Sequence, residues 1–125
     1  MDIRIHPEVK IGHIHLTVAD LDRSLKFYRG LLGFEITSNY GDQAVFLSAG
    51  GYHHHIGLNT WQGEGAPPLP ANALGLEAFS VLLPNKAELE RVLARVKQAG
   101  VATEQNEAGT LVHDPSQNGV ILTSR

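Results

Sequence analysis

The order of patterns in this chain predicts an α+β fold of two tandem βαβββ units, each with a helix on one face of a mainly antiparallel sheet. Three observations carry the prediction. An alternating apolar/polar stretch leading into a capped helical stripe occurs twice, near residues 11–33 and again near 76–100. Each time, three further strand-length stretches follow, bounded by Gly- and Asn-rich turns. A Gly/Pro-rich segment, "NTWQGEGAPPLPANA", stands between the two copies.

The first unit covers about residues 11–60. In "IGHIHLTV", Ile14, Leu16 and Val18 fall on one face of a strand, and His13, His15 and Thr17 on the other. Asp20 follows as the N-cap, because a carboxylate there accepts the free N–H groups of a first helical turn. Leu21, Leu25, Tyr28 and Leu32 then recur at helical spacing, and Gly33 ends the helix. "FEITS", "QAVFLS" and "HHHIGLN" complete the unit as strands.

The linker spans about residues 60–74 and the second unit about 75–125, all within one domain of 125 residues. "LEAFSVLL" is its first strand. Asn85 caps the second helix, with Glu88 completing a capping box. Leu89, Val92, Leu93 and Val96 form the buried stripe, and Gly100 closes it. "ATEQN", "TLVHD" and "GVILTS" are the remaining strands.

Composition narrows the function. A net charge of -3, with no Lys/Arg-rich stretch, sets nucleic acid and anionic membranes aside as partners. The absence of cysteine excludes thiolate nucleophiles and Cys-ligated zinc. Neither a secretory h-region nor a membrane-length apolar run is visible, so the expected location is the cytoplasm. Ser24 and Ser116 have no base near them in sequence, and the acidic residues show no catalytic pairing. The informative feature is histidine. Seven are present, three of them consecutive at His53–His55. The face carrying His13 and His15 is too polar for a plain core and suits the wall of a cleft.

"IGHIHLTVADLDRSLKFYRGLLGFEI" resembles the opening of a vicinal oxygen chelate module, the superfamily of glyoxalase I, bleomycin resistance proteins and extradiol dioxygenases. "SAGGYHHHIGLNTW", "GAPPLP" and "DPSQNGVILT" resemble the C-terminal half of two-domain catechol 2,3-dioxygenase-type proteins. The resemblance implies sheets curved into a cup, and a divalent metal that binds vicinal oxygens of a small ligand. It places the family's metal ligands on His13 and His55. His15, His53, His113 and Asn59 are then expected around the ligand pocket, and His54 is expected to be structural, half-buried under the helix layer. Trp61 is expected to pack under the linker. The same comparison puts Ala78 and Ile121 where the second unit's ligands belong, and neither can ligate. The implied site is therefore incomplete: a Zn, Mn or Fe ion held weakly or not at all. Such a site is completed by a homodimer or by a separate partner chain, or it gives way to metal-free sequestration of a small ligand. No catalytic residue is assigned.

Overall fold

The computed structural model describes residues 3–68 and 75–125; part of the expected linker, 69–74, lies outside them. The first unit runs β1 (Ile14–Thr17), α1 (Leu21–Leu25), β2 (Glu35–Tyr40), β3 (Ala44–Ser48) and β4 (Ile56–Asn59). The second runs β5 (Ala78–Leu83), α2 (Lys86–Gln98), β6 (Glu104–Asn106), β7 (Gly109–His113) and β8 (Gly119–Ser124). Each unit makes an open four-stranded sheet, ordered β1-β4-β3-β2 and β5-β8-β7-β6. The first and last strands of each unit pair in parallel, and the other neighbours pair antiparallel.

Both helices start where their caps require. Asp20 Oδ1 accepts from Arg23 N–H at 3.1 Å, and Asn85 Oδ1 from Glu88 N–H at 2.9 Å. The Glu88 carboxylate binds Arg91 at 3.0 Å, one turn on. α1 does not continue as a regular helix. From Lys26 to Leu31 it widens into a π-helical turn, which buries Phe27 together with Tyr28. Gly33 then ends it at φ 92, a conformation that favours glycine.

A single apolar cluster draws on both units. Leu16, Val18, Leu47, Ile56 and Leu58 of the first unit join Phe27 and Tyr28, and Val92, Val96, Val112, Val120 and Leu122 of the second unit add to it. Polar contacts tie the units together. The Tyr28 hydroxyl donates to Asp114 Oδ2 at 2.8 Å inside the core. Asp114 Oδ1 also accepts from the N–H groups of Ser116 and Asn118, so this carboxylate organises the turn between β7 and β8. That turn reaches the end of β1, where Asn118 Nδ2 donates to Thr17 O and Ser116 Oγ accepts from Ala19 N–H. Arg95 Nε donates to Leu31 O at 2.7 Å, placing a cation on the carbonyl end of the first helix.

Two strand ends differ from the sequence expectation. β1 begins at Ile14, not Ile11, and β4 begins at Ile56, not His53. Gly50 and Gly51 both take positive φ and turn the chain sharply, so residues 51–55 form a bend that enters β4 late.

Candidate functional site

One face of the first sheet lies under the helix and the other is open. His15 pairs with Gly57, and Gly57 with Phe46, so these three share a row on the open face. The His15 ring fills the space above Gly57, where a methyl group would stand 2.7 Å from His15 Nδ1. A side chain on residue 57 would exclude the imidazole, so the glycine is what lets His15 lie down on the sheet.

The bend before β4 delivers the histidine triplet to the same place. The His54 ring lies 4.5 Å from that of His13, 5.7 Å from His15 and 4.8 Å from Phe46, centre to centre. His13, His15 and His54 each offer one ring nitrogen, and these three atoms lie within 4.8 Å of one another. His53 stands beside them, its Nδ1 3.1 Å from that of His54. Its carbonyl is held by Thr37 Oγ1 at 2.8 Å, at a bulge in β2.

His54 was expected to be structural, under the helix layer. It lies instead among the imidazoles over the open face, because the alternation that assigns faces holds only in a paired strand and residue 54 precedes β4. Its Nε2 is buried with no hydrogen-bond partner, an arrangement that costs free energy in a polar side chain unless a ligand supplies the contact. Desolvation, followed by the neighbouring rings of His13, His53, His15 and His55, lowers its pKa and favours the neutral, ligating form.

His55 is positioned differently. Its Nδ1 accepts from Ala49 N–H at 3.2 Å and lies 3.4 Å from Ser48 Oγ, while its ring stacks 4.5 Å from Tyr52. It lines an apolar cavity of about 590 Å³ that His13 also borders, but it is not one of the three clustered ligand atoms. Asn59 is buried, and its side chain accepts from Trp61 N–H. Trp61 itself is 56% exposed and is not packed beneath the linker residues described. His113 is exposed on β7 of the other sheet, in the row of Gly119 and Ala78. Counting back from the caps Asp20 and Asn85, Ala78 and Ser80 hold the places of His13 and His15, so the open face of the second sheet carries no equivalent pair.

Divalent zinc, manganese or iron accepts imidazole nitrogen, so the donor set of His13, His15 and His54 fits such an ion. The unsatisfied His54 Nε2 is the strongest sign of the fit.

A family model described as the Glyoxalase/Bleomycin resistance protein/Dioxygenase superfamily matches residues 10–119. The chain belongs to this superfamily. Among curated superfamily relatives, the catechol-2,3-dioxygenase of Bacillus subtilis (strain 168) is 53% identical over 112 residues, covering 89% of this chain. The chain spans 39% of that protein's length. Solved structures of glyoxalase type share the fold. The lactoylglutathione lyase of Agrobacterium tumefaciens superposes with a TM-score of 0.71 at 24% identity, over 95% of this chain and 96% of its own. The trypanothione-dependent glyoxalase I of Leishmania major does so with a TM-score of 0.69 at 21% identity, over 91% and 85%. Among the described residues, no helix is long and apolar enough to cross a membrane.

Proposed function

We propose that this superfamily member holds a divalent metal ion through His13, His15 and His54 and presents it to a small ligand with adjacent oxygens, of the catechol type. The observation that carries the reading is the convergence of one nitrogen from each of three imidazoles within 4.8 Å, on rings that include His54, whose Nε2 is buried without a partner. When bound, the ion would act as a Lewis acid toward ligand oxygens, since three protein nitrogens leave coordination positions open. The chain's own residues do the positioning. Gly57 lets His15 lie flat, Phe46 supports His54, and the His53 carbonyl is pinned by Thr37. His55, held at the turn by the Ala49 N–H, borders the apolar cavity beside His13. The kinship with a catechol-2,3-dioxygenase supports the ligand class.

A second reading concerns completeness. The 39% coverage of that relative and the inert Ala78 and Ile121 favour a site finished by groups from outside this chain, either a second copy or a partner carrying further ligands. The test is metal titration of tag-free protein by calorimetry, followed by catechol-dependent oxygen uptake. One ion per chain is expected, with affinity at least tenfold weaker in His13→Ala and His54→Ala. Unaltered binding in the double variant would remove the site. Binding without oxygen uptake, restored by a co-purifying chain, would select the second reading.

A further inference from the structure

The bend before β4 makes one hydrogen bond between two imidazoles. His53 Nδ1 and His54 Nδ1 stand 3.1 Å apart. In such a contact one ring donates its N–H and the other accepts. A neutral imidazole carries a single N–H, so a proton on Nδ1 leaves a lone pair on Nε2. The direction of this bond therefore decides what the far nitrogen of His54 offers.

The two rings are unequally placed. His53 is exposed, whereas His54 Nε2 is buried and has no hydrogen-bond partner. If His53 donated, His54 would carry its proton on that sealed nitrogen, as an N–H without an acceptor and without a lone pair for an ion. If His54 donates, both N–H groups have partners. The proton of His54 lies against His53 Nδ1, and that of His53, now on Nε2 of an exposed ring, meets water. Only a lone pair on His54 Nε2 is then left over.

His53 is also held from outside the cluster. Its ring lies 4.1 Å from that of Tyr52, tilted by 35°, and its carbonyl accepts from Thr37 Oγ1 at 2.8 Å. Its ring centre stays 6.4 Å from that of His13, against 4.5 Å for His54, and it is not one of the three clustered ligand residues. We propose that His53 is a positioning residue: its Nδ1 accepts from the Nδ1–H of His54 and fixes His54 in the tautomer whose Nε2 is an unprotonated donor atom. The consequence for an ion rests on the reading that His13, His15 and His54 hold one; the tautomer does not.

The tautomer is read without any metal. Tag-free protein with isotopically labelled histidine is stripped with a chelator and recorded by long-range proton–nitrogen correlation at about pH 8, where an ordinary imidazole is neutral. The His54 signals are those lost in His54→Gln. They are expected to show a protonated Nδ1 and an unprotonated Nε2. His53→Ala is expected to raise the Nε2–H population of His54 and to weaken Zn²⁺ binding at least tenfold by calorimetry, the usual scale for losing a ligand's outer partner. The variant should fold, because the His53 ring is exposed and the Thr37 bond is to its backbone. His53→Asn, whose amide oxygen can stand where Nδ1 stood, is expected to restore both the tautomer and the affinity. An Nε2–H form of His54 in the unaltered chain, an unchanged tautomer in His53→Ala, or a His53→Asn protein no better than His53→Ala would each overturn the proposal. An Nδ1–H form in a chain that binds no Zn²⁺ would uphold it and remove the metal reading instead.

Discussion

His15 lies so close over Gly57 that a single methyl group on residue 57 would meet its Nδ1 at 2.7 Å. Gly57→Ala is expected to lift the His15 ring and weaken divalent-metal binding by about tenfold, the usual effect of disturbing a ligand's support. Its cost to folding stability should be smaller than that of a core truncation, since His15 is exposed and can move. Calorimetric metal titration beside urea unfolding separates the two effects.

The Tyr28–Asp114 contact predicts a pH dependence. Burial, then the charge of Asp114 and its hydrogen bond, push the Tyr28 phenol far above its ordinary range. The folded state therefore keeps a proton that the unfolded chain releases near pH about 10. This contribution to stability is intact below that pH and is lost as the pH rises beyond it. Tyr28→Phe should cost about 1–3 kcal/mol at pH 8, because Asp114 loses a buried donor. The gap between the two proteins should narrow above pH about 10. Urea midpoints across pH 8–11 would show it, and parallel curves would contradict it.

Arg95 joins the units through the carbonyls of Leu31 and Leu32, at 2.7 and 3.4 Å. Arg95→Met keeps the aliphatic stem and removes the donors. A loss of about 2 kcal/mol is expected, typical of a hydrogen bond to a charged group. Denaturant unfolding reports it, and an unchanged midpoint would mean that water replaces the guanidinium at no cost.

Asn85→Ala removes the cap that holds Glu88 N–H at 2.9 Å. The expected cost is about 1 kcal/mol, or a fall of about 4 °C in Tm by calorimetry. Asn85→Asp should restore most of the loss.

The two units were legible in the sequence because their signals are local. Asp20 and Asn85 are cap residues whose side chains bond the N–H three residues on, and that spacing shows in the letters alone. The buried stripe of α2 was equally plain, although the Glu88 carboxylate turns to Arg91 and leaves the capping box half-made. The π-helical turn after Leu25 was not legible, because widening a helix to bury Phe27 answers to packing against the second unit, which no local spacing encodes. The histidines divide along the same line. His13 and His15 follow strand alternation and were placed on the open face correctly. The triplet was assigned faces by the same alternation, but Gly50 and Gly51 turn the chain first, so His54 rather than His55 comes over the sheet. The bend sets which ring of the triplet stands beside His13 and His15.

The parallel pairing of β1 with β4 has a consequence for the order of events in folding. β2, β3 and β4 are joined by short turns and can zip together locally, whereas β1 must wait across some forty residues for the partner it meets at Ile56–Asn59. His15 lies on β1 and His13 just before it, while His54 lies on the segment leading into β4. The imidazole trio thus comes into being only when its unit shuts, and a half-made chain has no such nest to offer an ion.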